Sequence, residues 1–276
     1  MHKRQIIDFP EYWEEVTPQE WAYLLLMREK LVTLPGVTLQ DIKRAWCFFV
    51  LRRRANMAKG LQLMLLVDQL AESLDWMFRV HPEDNTIELT FETTVNLLPV
   101  WRDFVGPASH GADLTFGEFR HAVTAYNRYT EDHQPEDLLA LCAILYRRRV
   151  KNKGAWLRQP YNPDRLDKNM AALRKMPAYL QWGVYAWFGY FNRYLMSEEF
   201  IIDGSQVSFA PLFAHQAAAG PAHQNIGLNA IRFSVAESGV FGNSEETDNT
   251  SLLQVMLKLL DDHQRAEDLL SRTKTN

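Results

Sequence analysis

Two stretches of the chain, 95 positions apart, read almost alike. Ala45-Trp46-Cys47-Phe48-Phe49-Val50-Leu51-Arg52-Arg53-Arg54 and Ala140-Leu141-Cys142-Ala143-Ile144-Leu145-Tyr146-Arg147-Arg148-Arg149 share an Ala, a Cys, an apolar run and a closing Arg triplet. They hold both cysteines of the protein. A repeated segment constrains a fold strongly, because each copy is one supersecondary unit. Each copy also follows a helix start. In Thr17-Pro18-Gln19-Glu20 the Thr can cap, the Pro suits the first helical position, and the Glu can return to the cap amide. Thr115-Phe116-Gly117-Glu118 is a second Thr-x-x-Glu box.

The first unit then reads as a helix over Trp21 to Leu31 and a break at Leu34-Pro35-Gly36. A second helix opens at Thr38-Leu39-Gln40-Asp41 and runs through Cys47 to the triplet. The second unit reads as a helix to about Tyr129, then one started by Pro135, Glu136 and Asp137 that ends at Arg147-Arg148-Arg149. Cations in a last turn suit the negative end of the helix dipole. Thr17 to Arg54 and Thr115 to Arg149 are therefore read as pseudo-repeated helix-loop-helix units. Chance similarity between amphipathic helix pairs is the alternative.

Between the units a third apolar helix spans roughly Leu61 to Leu74. Trp76, Phe78 and Val80 alternate with polar or flexible partners. After His81-Pro82-Glu83-Asp84-Asn85, Ile87, Leu89 and Phe91 alternate again, which predicts a hairpin. Beyond the turn at Pro160 to Pro163, a polar helix runs from Asp164 to Lys175. The aromatic stretch Tyr179 to Tyr194 follows, with aromatics on every side of the helical wheel. Such a helix is centrally buried or completed by a partner. Its uncharged run stops at Asn192-Arg193, short of the ~20 residues a membrane span needs. Residues 201 to 230 carry little pattern, and Ala217-Ala218-Ala219-Gly220-Pro221 reads as loop. A polar linker, Asn243 to Thr250, leads to a last helix with Leu252, Leu253, Val255, Met256, Leu259 and Leu260 at helical spacing. That helix turns polar after Asp261, as when a helix docks by its first half and projects its second; a docked helix with a frayed end is the alternative.

The expected fold is mainly α: a multi-helix domain with two pseudo-repeated helix-loop-helix units and one small β-hairpin at about 76–91. The expected division is 1–97 (helical half with hairpin), 98–242 (second half with the aromatic helix) and 243–276 (linker and C-terminal helix), with a single domain as the alternative.

Composition narrows function by exclusion. Hydrophobic residues make up 47% of the chain, enough for a real core. A net charge of −4 and a pI near 6.1 disfavour bulk nucleic-acid binding, which rests on phosphate neutralisation. The cysteines, set in apolar helical runs, read as reduced core residues. Met1-His2-Lys3-Arg4-Gln5-Ile6-Ile7-Asp8 lacks the apolar stretch of a signal peptide. The default expectation is therefore a soluble intracellular protein without membrane association.

The search for chemistry finds no metal or catalytic spacing. His215 and His223 lie near each other without an intervening acid and read as surface or loop residues. His-Glu-x-x-His, Cys-x-x-Cys, a phosphate-cradling Gly-rich loop and Gly-x-Ser-x-Gly are absent. Burial disfavours a thiolate at either cysteine. No catalytic, cofactor-binding or metal-ligating residue is assigned, and no cofactor is expected. The reading leans away from an enzyme, while a site assembled only in three dimensions stays open. Arg147, Arg148, Arg149 and Lys151, with Lys153, form a basic patch. It is read as a solvated helix end, with nucleic acid or an acidic partner as the alternative.

A resemblance adds a context. Phe104-Val105-Gly106-Pro107-Ala108, then Leu114-Thr115-Phe116-Gly117-Glu118-Phe119, then Ala143-Ile144-Leu145-Tyr146-Arg147 resemble an uncharacterised family encoded in prophage-like regions near tail-module genes. Gly239-Val240-Phe241-Gly242, the linker with Glu246 and Thr247, and Asn249-Thr250 opening an apolar helix are similar too. The likeness covers about residues 98–160 and 226–262. It implies a structural or assembly role in a phage or phage-like particle, such as a tail-assembly chaperone or minor tail component, and transfers no catalytic residue. Implied partners are other phage-type structural proteins, for example a long helical tape-measure-like protein, with a homo-oligomer also open. The candidate contact residues are Tyr179, Trp182, Tyr185, Trp187, Tyr190 and Tyr194 on the aromatic helix, and Leu252 and Leu259 on the last one. The rivals are a nucleic-acid-associated regulator using the Arg-rich ends and an enzyme with a spatially assembled site.

Overall fold

The computed structural model describes residues 8–55, 60–84, 86–152, 155–202, 204–213 and 235–274. The fold is mainly helical, and the chain divides into two compact units. Unit 1 comprises residues 1–98 and 176–187, and unit 2 comprises 99–175 and 188–276.

Unit 1 is built on α1 (Pro18–Thr33), α2 (Leu39–Arg54) and α3 (Leu61–Glu72). Both first helices begin with a complete capping box, Thr17 with Glu20 and Thr38 with Asp41, so exposed N-terminal amides are satisfied within the chain. Trp21, Leu24, Leu25, Ile42, Trp46, Cys47, Val50 and Leu51 recur at helical spacing and form the core. The Trp46 indole donates to the Glu20 carbonyl at 3.0 Å, tying α2 to the base of α1. Trp13 packs edge-on against Trp21 and Trp76. The hairpin expected near 76–91 is present as β1 (Phe78–Val80) and β2 (Ile87–Leu89), antiparallel with Phe78 opposite Leu89.

Unit 2 carries strands that the helical reading did not anticipate. β3 (Val100–Trp101) and β4 (Phe104–Val105) precede α4 (Phe116–Asp132) and α5 (Pro135–Leu145). β5 (Arg147–Asn152) and β6 (Ala155–Arg158) then complete an antiparallel sheet in the order β3-β4-β5-β6. A further hairpin pairs Glu199–Ile202 with Ser205–Ser208. Among the described residues the expectation of one small hairpin is thus corrected to three small sheets. The second Arg triplet is corrected as well: it is a strand, not a helix end. After Tyr146, extended at φ −104° and ψ 116°, the chain pairs Arg147 with Val105 and Arg149 with Arg158.

After β6 come a 3-10 turn (Pro163–Arg165) and α6 (Leu166–Leu173). The short helix Ser244–Asn249 and the terminal helix Leu252–Lys274 close unit 2. Thr115 bridges Ser251, and the Leu252 amide donates to the Leu114 carbonyl at 2.9 Å, fixing the terminal helix beside the start of α4. The Cβ that a larger residue would add at Gly117 lies 2.7 Å from Asp248 Cβ, so glycine is what admits the Ser244–Asn249 helix there.

The aromatic helix, Ala178–Ser197, buries Leu180, Val184, Trp187, Phe188, Phe191 and Leu195 along one stripe. Its residues up to Trp187 belong to unit 1, and those from Phe188 to unit 2. Among the described residues no helix is long and apolar enough to cross a membrane.

Candidate functional site

The densest charge cluster lies at the base of α4. Glu118 has no solvent exposure, yet two arginines grip it. Arg147 donates from Nη1 to Oε1 at 2.7 Å and from Nη2 to Oε2 at 3.1 Å. Arg158 donates from Nη1 to Oε1 at 2.6 Å and from Nη2 to Oε2 at 3.3 Å. Two forked guanidiniums on one carboxylate is a strong geometry, and the second positive charge calls for a further carboxylate. Asp113 meets Arg158 Nη2 at 3.1 Å. Burial, foremost, and neighbouring Arg147 pull the Arg158 guanidinium below the ordinary arginine value, against the pull of Glu118 and Asp113. The same arginines close the end of α5: Arg147 donates to the Ile144 carbonyl, and Arg158 to the Leu145 carbonyl at 2.8 Å. Those carbonyls have no partner within the helix, so the guanidiniums serve as its cap.

On the solvent side of this cluster lies a polar cleft of about 390 Å³, lined by Gly117, His121, Tyr161, Asp164, Glu245 and Asp248 among others. An adjoining hollow of about 270 Å³, with Thr124, Arg128 and Leu166 in its wall, shares His121 and Tyr161. The Tyr161 hydroxyl and His121 Nδ1 are 2.5 Å apart. Burial, and then the charge of Glu118, push the Tyr161 phenol well above its ordinary value, so it holds its proton. Arg120 reaches Asp248 at 3.2 Å. The cleft can therefore receive a polar or cationic group beside an imidazole and a phenol. Among the described residues no group of His, Cys, Asp and Glu has the arrangement of a metal site.

A second, smaller cleft of about 170 Å³ has the opposite sign. Arg148, Gln159, Arg165, Lys168, Asn169 and Ala172 line it.

The residues singled out from sequence fare differently. Arg147 is only 3% exposed, so it is removed from the proposed solvated patch, whereas Arg148, Arg149 and Lys151 are exposed on β5. Trp187 is a core residue whose indole donates to the Thr94 carbonyl at 3.1 Å. Tyr179, Trp182, Tyr185, Tyr190 and Tyr194 are half-buried. The Arg28 guanidinium lies 3.5 Å from the Trp182 ring centre, and Arg193 lies 5.4 Å from that of Tyr190. Leu252 is buried and holds the terminal helix in place, while Leu259 is half-buried. Neither leucine is an open contact residue. His215 and His223 lie outside the described residues. Both cysteines are buried, and neither forms a disulfide. Burial pushes the Cys47 thiol up to about 12 and raises that of Cys142 too.

The sequence reading missed His121, Tyr161, Asp164, Glu245 and Asp248, which come from three separate segments. It also passed over a signal that was there. Residues 147–175 carry ten Lys and Arg against only Asp164 and Asp167, in a chain of net charge −4.

Comparisons with protein-family models, with curated proteins and with solved structures give no match.

Proposed function

We propose that this chain is a non-enzymatic structural or assembly protein of a phage or phage-like particle, of the tail-assembly chaperone or minor tail-component type, acting through contacts with other proteins. The observation that carries this reading is the terminal helix. Its first half is held by buried Leu252, Val255, Met256 and Leu260, whereas residues 264–272 are exposed, with Leu269 at 65% and Leu270 at 62%. A long helix that leaves leucines in water over its last turns is suited to completion by another helix. The resemblance of 98–160 and 226–262 to tail-module-associated proteins supports the context. The segments that share an Ala, a Cys, an apolar run and a closing Arg triplet support two related units within the chain.

The test is co-expression with the products of neighbouring genes, above all a long helical one, followed by size exclusion. Wild-type protein should co-elute with a partner, and Leu269→Glu with Leu270→Glu should abolish this without lowering the melting temperature. Failure to co-elute with any neighbouring product would count against the assembly role.

The cleft at His121 and Tyr161 favours a second reading, a small-ligand or catalytic site. Thermal-shift screening against small amines and polar metabolites tests it. A shift present in wild type and lost in His121→Gln would support this reading, and a flat response across the screen would remove it.

A further inference from the structure

The charge of the segment from β5 to α6 is not accounted for by protein assembly. Arg147 and Arg158 are occupied by Glu118. Arg148, Lys151, Arg165 and Lys168 instead stand exposed in unit 2, while exposed Arg149 pairs with Asp103 at 3.4 Å. Three of them, Arg148, Arg165 and Lys168, converge on the cleft of about 170 Å³, and no carboxylate lines it. Among the described residues none of these three has an ion-pair partner. Like charges gathered without a counter-charge repel one another, and a bound anion removes that repulsion. The other lining groups, Gln159 and Asn169, are amides that can donate to oxygen. Arginine forks match phosphate oxygens in particular.

One feature favours a nucleic acid over a lone anion. On the sheet face that Arg148 shares with Trp101 through the cross-strand pairs Arg148–Phe104 and Phe104–Trp101, exposed Arg102 lies 4.7 Å from the ring centre of half-buried Trp101. Cations beside a ring at hand for a base form the surface that single-stranded nucleic acid uses. The overall negative charge does not oppose this, because the field at a surface within a Debye length is set by the local charges.

We propose that the face formed by β5, the cleft and α6 binds the phosphate backbone of a single-stranded nucleic acid, with Arg148, Arg165 and Lys168 seating one phosphate.

The experiment is fluorescence anisotropy with full-length protein and a labelled oligodeoxythymidylate of about 20 nucleotides, longer than one site. Binding is followed from about 50 to 200 mM salt. The expected result is salt-sensitive binding that Arg148→Gln, Arg165→Gln and Lys168→Gln together weaken by ~10-fold or more, with the log–log salt slope falling by about 1. Lys30→Gln with Arg79→Gln, two exposed cations of unit 1, should leave both unchanged. The three variant positions are exposed, so the triple variant should keep its melting temperature; each single variant repeats the test on a smaller scale. No oligonucleotide binding at the lower salt overturns the proposal. So does undiminished affinity and slope in the triple variant. Binding of inorganic phosphate or oligoglutamate in place of the oligonucleotide overturns it too, by assigning the cleft to a lone anion or to an acidic peptide.

Discussion

The regions Thr17 to Arg54 and Thr115 to Arg149 begin alike and end differently. In each, a capping threonine opens a helix whose third residue is a buried glutamate, and an arginine from the distant triplet grips that carboxylate. In the first region the triplet stays helical, and Arg54 reaches Glu20 at 2.7 Å from Nε and again from Nη2. In the second the helix stops at Leu145, the chain extends, and Arg147 reaches Glu118 from a strand. Counted from the cysteine, the gripping arginine has moved two places earlier. The remaining carboxylate capacity also differs: Glu20 returns to the Thr17 amide at 2.9 Å, whereas Glu118 accepts a second arginine, Arg158. One residue pattern thus supports a helix cap in one place and a buried three-charge cluster in the other. The lesson is that a local repeat sets the opening of each unit, and the chain that follows sets its close.

The largest expected effect comes from breaking the more buried pair. Glu118→Gln leaves buried Arg147 without a counter-charge and Arg158 with half-exposed Asp113 alone, and should cost about 3–5 kcal/mol in urea denaturation. Glu20→Gln should cost less, about 1–2 kcal/mol, because the Arg54 side chain is 15% exposed and can turn to water. Equal costs would mean that the two pairs do the same work.

Gly117→Ala should follow at about 1–3 kcal/mol, since the added methyl meets the Asp248 side chain and carbonyl. Gln19 holds the matching place in the first region, so Gln19→Ala should be near neutral there. A mild Gly117→Ala would show that the Ser244–Asn249 helix gives way readily. The caps come next. Thr17→Ala should cost ~1 kcal/mol and Thr115→Ala somewhat less, because only the first box is closed from both sides.

Acid should reveal Glu20. Burial pushes its carboxyl up, but hydrogen bonds from Arg54 and Thr17 outweigh that and hold it below its ordinary value. With the folded value lowered, its contribution is complete above the unfolded value of about 4.3 and is lost as pH falls through the folded one. Wild type should therefore lose more stability than Glu20→Gln between pH 5 and pH 3, roughly the span in which such a carboxylate titrates. Parallel loss would contradict the assignment. The smallest effect concerns the cysteines. A thiol reagent at about pH 8, near the free-thiol value, should label neither Cys47 nor Cys142 until the chain unfolds.

Much of the helical plan was legible because its signals are local. Thr17-Pro18-Gln19-Glu20 and Thr115-Phe116-Gly117-Glu118 declare their helix starts, and the alternation through Phe78, Val80, Ile87 and Leu89 declares a hairpin. The close of α5 was not legible in the same way. Cations after an apolar helical run suit a helix end, and the competing sign, β-branched Val150 ahead of Asn152 and Gly154, is a short strand-and-turn pattern. What decides it is non-local: β4 lies alongside to pair with Arg147, and two guanidiniums cap the last carbonyls. The candidate site was hidden for the same reason. His121, Tyr161, Asp164 and Asp248 are unremarkable singly and meet only through the packing of α4, the turn after β6 and the Ser244–Asn249 helix. Only the basic face was countable in advance, as a run of charge against the sign of the whole chain.

Backbone NMR of the two triplets tests the central claim most directly. The account predicts helical carbon shifts through Arg52, Arg53 and Arg54, but extended shifts from Arg147 to Asn152 with a cross-strand contact between Arg149 and Arg158. Helical shifts running unbroken from Cys142 through Arg149 would contradict it.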